Sequence, residues 1–121
     1  MKPLTIFSFW LLLIPSLQAQ VLPIQWEQCY GGSDHDWAAM AIPAIGYGFI
    51  TAGTSSSLDG THSGPVNGGS DFWVVRTDDY GSVIWEKSYG GSGYENTKVI
   101  TRTNFGYIIG GSTNSSDGEV H

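Results

Sequence analysis

Oxygen-bearing side chains gather around the glycine-rich stretches of this chain. Asp34 and Asp36 follow one Gly-Gly-Ser, Glu95 follows another, and Asp59, Asn67, Asp71, Asp117 and Glu119 stand among glycines and serines. Carboxylate, amide and backbone carbonyl oxygens are the hard donors that calcium takes, roughly six to eight at a time. The stretch "LDGTHSGPVNGGSD" offers Asp59, Asn67 and Asp71 with carbonyls between them, and these three are the calcium candidates. The D-x-D-x-D-G spacing of a calcium loop is absent, and Asp and Asn also favour turns by bonding their own backbone. Two carboxylates can drive glycoside hydrolysis, but nothing in the spacing sets a pair at the required separation.

Other chemistries find less support. Gly31, Gly32 and Ser33, like Gly90, Gly91 and Ser92, have the look of a phosphate loop. Such a loop needs a helix behind it and a Lys-Ser or Lys-Thr end, and neither is present. These glycines read as turns between strands. His35, His62 and His121 share no metal spacing, and no nucleophile elbow supplies a serine for a triad. Cys29 is the single cysteine, which excludes an intramolecular disulfide and a cysteine-built zinc site. It is expected to pack on a strand as a small apolar residue.

The same phrases occur twice. A shift of 59 lays Trp26 on Trp85, Glu27 on Glu86, Tyr30 on Tyr89, and Gly31, Gly32 and Ser33 on Gly90, Gly91 and Ser92. A shift of 58 lays Gly48, Ile50, Gly53, Ser57, Asp59 and Gly60 on Gly106, Ile108, Gly111, Ser115, Asp117 and Gly118. One residue is lost near Ile45. The unit is about 58 residues, the signature of a repeat architecture. A binding site is seldom copied in place, whereas a contact between neighbouring units must be. Trp26, Tyr30, Gly31, Gly32, Trp85, Tyr89, Gly90 and Gly91 therefore read as structural repeat positions rather than aromatic platforms for a ligand.

Within a unit the signals are those of strands. "VIWEKSY" alternates from Val83, and "DFWVVRTD", "TKVITRT" and "FGYIIGGST" are aromatic or β-branched between Gly, Ser, Asn and Asp breaks. "TDDYGSV" reads as a hairpin connection with Gly81 at positive φ. "WAAMAIPAI" comes nearest to a helical period, but its counterpart "NTKVITRTN" is rich in β-branched residues, so both are expected to be strands. The fold class is all-β. About two antiparallel four-stranded, blade-like repeats would form an incomplete β-propeller. The expected divisions are a signal peptide over 1–19, a first repeat over 20–82 with a long loop at 55–70, and a second repeat over 83–121 that stops before its fourth strand.

The leader is read from Lys2, the apolar "LTIFSFWLLLIPSL" and a small Ala19 before the cut. The apolar run is too short to span a bilayer, and no membrane span is expected after cleavage. The chain of 121 residues holds 5 Lys and Arg against 11 Asp and Glu, a net charge of −6. That balance opposes nucleic-acid binding, which needs a basic face.

The phrases "WEKSYGGSGYENTKVI", "GYIIGGSTNSSDGEV" and "GGSDFWVVRTDDYGSVIWEKSYGGS" resemble repeats of exported proteins that use the type IX secretion route. The resemblance covers nearly all of the chain after the leader. It implies a β-propeller and secreted or outer-surface localisation, and it carries no catalytic residues. The sorting domain of that family is not in the sequence. "RTDDYGSVIWEKSY" also resembles, over some fourteen residues, the hairpin of quinoprotein-type propeller blades, with Tyr80 where those repeats carry Thr. The expectation is a non-enzymatic scaffold that presents loops, including 55–70, to an extracellular polysaccharide or protein, with further repeats following His121. Its alternative is the first blades of a propeller hydrolase or quinone-type dehydrogenase. Calcium is the only cofactor the residues suggest.

Overall fold

A computed structural model describes residues 22–118. The leader expected over 1–19, Glu119 and His121 lie outside these residues. Six strands and no helix are found among them: β1 (Asp36–Pro43), β2 (Phe49–Ser55), β3 (Asp71–Thr77), β4 (Val83–Tyr89), β5 (Glu95–Arg102) and β6 (Tyr107–Thr113). The first four form an antiparallel meander in the order β1-β2-β3-β4, and β5-β6 form a second, two-stranded sheet. The four-stranded sheet runs through Tyr89, so it spans the border at 82/83 where the sequence begins its second copy.

Local sequence explains the elements. β2 and β3 carry "FITAGTS" and "DFWVVRT", rich in β-branched and aromatic residues, with no proline in either strand. Pro43 closes β1 at the edge of its sheet, where a missing N–H breaks no inner ladder. The β3–β4 turn follows its sequence closely. Asp78 N–H donates to Ser82 O at 2.9 Å, and Asp78 Oδ1 accepts from Tyr80 N at 2.9 Å and Ser82 N at 2.8 Å. Gly81 sits there at φ 83°, in the left-handed region that glycine enters without a steric cost.

The residue lost near Ile45 is a hairpin residue. The β1–β2 connection spans 44–48 and the β5–β6 connection only 103–106, each closed by a backbone bond, Ala44 N to Gly48 O at 3.0 Å and Thr103 N to Gly106 O at 2.8 Å. The repeat also reproduces an irregularity. β1 shifts register between Ala38 and Met40, and β5 between Thr97 and Val99, the equivalent pair.

The two sheets meet face to face. Ile50, Ala52 and Val74 from one face of the larger sheet, with Ala44, bury against Ile100, and Ile42, Tyr107 and Ile109 complete the cluster. Thr97 N–H donates to Thr54 Oγ1 at 2.9 Å, and Thr97 Oγ1 donates to Gly53 O. Ser70 and Tyr94 add a parallel bridge between the sheets. The opposite face of the larger sheet, carrying Thr51, Gly53, Trp73 and Val75, meets residues 26–30. Trp26 packs on Phe49 with ring centres 5.9 Å apart, and Tyr30 Oη donates to Gly81 O at 2.5 Å.

Candidate functional site

The end of the sheets where β1 and β3 begin collects every Gly-Gly-Ser turn and the long loop. It is built from two copies of one arrangement. In the first, Asp36 at the start of β1 accepts from Gly32 N at 2.8 Å, from Ser57 Oγ at 2.7 Å and from Ser55 Oγ. Ser33 N donates to Asp59 Oδ1 at 2.7 Å, and Asp34 N to Ser57 Oγ at 3.0 Å. In the second, Glu95 accepts from Gly91 N at 3.2 Å and from Ser115 Oγ and Thr113 Oγ1, both at 2.5 Å. Ser92 N donates to Asp117 Oδ1 at 2.7 Å, and Gly93 N to Ser115 Oγ at 2.9 Å. Each carboxylate takes backbone N–H groups that the turn leaves without a ladder partner, which a buried backbone requires.

The glycines are fixed by the same arrangement. A Cβ on Gly32 would stand 2.7 Å from Ser57 Cβ, and one on Gly91 would stand 2.7 Å from Ser115 Cβ. Gly60 and Gly118, which end the two clasps, have φ of 73° and 77°. Burial pushes the Asp36 carboxyl up. The hydrogen bonds from Ser55, Gly32 and Ser57, with the charge of nearby His62, outweigh it and hold the group below its ordinary 3.8. Asp117 is also held below that value, chiefly by the Ser92 N–H.

A third cluster ties the long loop to β4. His62 is buried, 1% exposed, with Nε2 2.5 Å from Ser88 Oγ and its ring 5.6 Å from that of Trp73. Ser63 gives its N–H and hydroxyl to Glu86 Oε1 at 3.1 and 2.6 Å, and Trp73 Nε1 donates to Glu86 Oε2 at 2.7 Å. Burial raises the Glu86 carboxyl, and the bonds from Ser63 and Trp73 with the nearby His62 bring it below its ordinary 4.5. His62 Nδ1 makes no hydrogen bond, so no carboxylate orients this ring as a triad would require. The pair joins loop to strand.

The calcium candidates divide between separate networks. Asp59 serves the first clasp, whereas Asn67 N donates to Asp71 Oδ2 at 3.0 Å within the long loop. Among the described residues no group of three or more His, Cys, Asp or Glu is placed to hold a metal ion.

The repeat positions differ in surroundings. Trp85 lies on β4 and Trp26 in an extended segment that pairs with no strand. Tyr89 stands opposite Phe72 in the β3–β4 register, while Tyr30 reaches the Gly81 carbonyl. Gly31, Gly32, Gly90 and Gly91 form the clasped turns. Cys29 departs from the strand position expected for it: it is exposed, on the same extended segment as Trp26. Among the described residues this segment pairs with no strand, so Cys29 is not packed on a sheet.

The clasps were partly visible beforehand. Ser57, Asp59 and Gly60 match Ser115, Asp117 and Gly118, and Asp36 matches Glu95 at the other shift. Their joining across some twenty residues of chain was not visible. The equivalents of His62 and Ser88 in the second copy fall outside the described residues, so the repeat did not point to this contact. Protein-family models, characterised proteins and solved structures return no match to the chain.

Proposed function

We propose that the chain is an exported repeat scaffold, built from blade-like units, that presents its loops for binding or adhesion outside the cell or on its surface. One observation carries the reading: both clasped turns and the loop from Ser55 to Ser70 lie at one end of the two sheets, held there by side chains that recur in each copy. A rigid base with loops gathered at one end is the usual arrangement of a binding surface. Residues 31–36, 55–71, 90–95 and 113–118 hold Asp34, Asp36, Asp59, Asp71, Glu95 and Asp117 and no Lys or Arg. This end is therefore acidic and suits a neutral or basic partner. Leu58, 74% exposed, and Tyr94, 65% exposed, are its apolar contacts. The leader read from Lys2 to Ala19 supports export.

The test is a binding panel of extracellular polysaccharides and matrix proteins presented to the labelled chain. Retention on at least one member, reduced about tenfold or more by Leu58→Ala with Tyr94→Ala at unchanged thermal midpoint, is the expected result; such truncations of exposed anchors cost about 1–2 kcal/mol each. No retention on any member would remove the reading. The alternative, the opening blades of a propeller hydrolase, has the His62–Ser88 contact in its favour. Covalent labelling of Ser88 by a fluorophosphonate would establish it.

A further inference from the structure

The two sheets stack by a rule that, among the described residues, leaves a face open at each end of the stack. β5-β6 lay Thr97, Ile100 and Ile109 on the face of the larger sheet that carries Thr54, Ile50 and Ala52. The repeat maps the second set onto the far face of β5-β6: Thr54 onto Ser112, Ala52 onto Gly110, Ile50 onto Ile108. Register confirms the facing, since Ile108 pairs with Thr101 and Ser112 with Asn96, while Ile109 pairs with Ile100 and Gly111 with Thr97 on the buried side. Ile50 is 1% exposed and its equivalent Ile108 is 59% exposed. The difference is that a unit covers Ile50 and, among the described residues, none covers Ile108.

The same mapping identifies what fits there. Of the residues that do the covering, Thr97 and Ile109 correspond to Ala38 and Thr51, and Ile100 to Ala41. Ala38 and Thr51, with Gly53, line a cleft of about 230 Å³ on the outer face of the larger sheet, beside Trp37, Trp73 and Val75. Residues 26–30 contribute Gln28 and Tyr30 to its wall and leave the rest open. They match Trp85–Tyr89 of β4 and lie over Phe49 and Gly81. The part left open is the part that β1 and β2 equivalents would cover.

We infer that the Ile108 face of one copy of this chain docks on the Ala38–Thr51–Gly53 cleft of a second copy, repeating the internal interface between its two sheets. The occupant is a second copy because the internal interface is the template for both surfaces, and each copy carries both halves. Ile108 and Val99 enter the cleft as Ile50 and Met40 face β5, and Ser112 keeps the hydroxyl that Thr54 offers to Thr97. The contact is head-to-tail: the two patches differ, so it does not close on itself and permits a third copy to add. This inference does not rest on the loop-binding reading.

Sedimentation of the full chain over a range of concentrations tests it. The average mass should rise past that of a dimer with no plateau. Ile108→Asp and Ala38→Asp should each give a monomer, and their equimolar mixture should form a 1:1 dimer and nothing larger, because each retains the patch the other lacks. A wild-type chain that stays monomeric, association that survives both substitutions, or variants that fold but do not pair when mixed would each overturn the inference. Circular dichroism checks folding, and Val99→Asp and Thr51→Asp, on the same two surfaces, replace either variant that does not fold.

Discussion

Asp36 and Glu95 hold equivalent turns with side chains of unequal length. Each offers two oxygens to a backbone N–H and to two hydroxyls, and each closes a turn whose glycine leaves no room for a side chain. Asp36→Ala strands the Gly32 N–H and the Ser57 hydroxyl. The expected loss is about 1–3 kcal/mol, read as a fall in thermal midpoint of about 4–8 °C per kcal/mol for a domain of this size. Asp36 and Glu86 also set an acid limit. Both are held below their ordinary values of 3.8 and 4.5. A carboxyl depressed in the folded chain binds fewer protons there than in the unfolded chain. Its contribution to stability is thus complete above those ordinary values and is lost as pH falls through the lowered ones. Thermal midpoints from pH 7 to pH 2 should be flat and then descend, with a shallower descent in Asp36→Asn with Glu86→Gln. Parallel descents in the wild type and the double variant would contradict this. At this scale the sequence announced which residues recur, since Asp59 and Asp117 match in place. It did not announce that they serve backbone N–H groups of Ser33 and Ser92, because hydrogen bonds across 26 and 25 residues depend on how the strands between them pair.

Hairpins and bulges show how far local sequence reaches. The β3–β4 turn was legible because its determinants, Asp78 and Gly81, lie within five residues of each other and act on their own backbone. Gly81→Ala should cost about 1–2 kcal/mol for the left-handed conformation alone, and the new Cβ would stand 2.7 Å from Trp26 ring atoms. A lowered thermal midpoint with a shifted tryptophan emission is the expected reading, since Trp26 must move. The second sheet depends on a single large buried anchor. Ile100→Ala should cost about 2–5 kcal/mol. Hydrogen exchange should lose protection in β5 and β6 first, while β2 and β3, paired on both sides, keep theirs. Uniform loss across both sheets would show that they unfold as one unit. Four strands of the larger sheet follow the alternation and β-branching of their segments. The assignment of β4 to the first sheet does not: the repeat opens its second copy at Val83, yet β4 pairs with β3, Trp85 opposite Arg76.

For the molecule as a whole, the buried apolar cluster is small. Ala44, Ile50, Ala52, Val74 and Ile100 are its buried members, two of them alanines. Small domains bury a limited share of their surface and are marginal in consequence. A surface that binds a second copy adds stability by mass action. The thermal midpoint should therefore rise with protein concentration in the wild type and become independent of it in Ile108→Asp, as followed by circular dichroism. Equal concentration dependence in both would place the association elsewhere.

The sequence by itself determined the all-β class, the length of the unit, the positions of the strands and the hairpin in which one residue is lost. These follow from periodicity, β-branching and glycine placement, which act over a few residues of chain. Only the tertiary structure decided which side of each strand is covered. Ile50 and Ile108 occupy the same place in the repeat, yet one is buried and the other is not. Burial belongs to the neighbour a residue meets, and two copies in a row give the first a neighbour that the second, among the described residues, does not have. The tertiary structure likewise drew Asp36, Asp59 and the Gly-Gly-Ser turn together and set His62 against Ser88. Those contacts require β1 to pair with β2 and the long loop to fold back on β4, which no local pattern in the chain encodes.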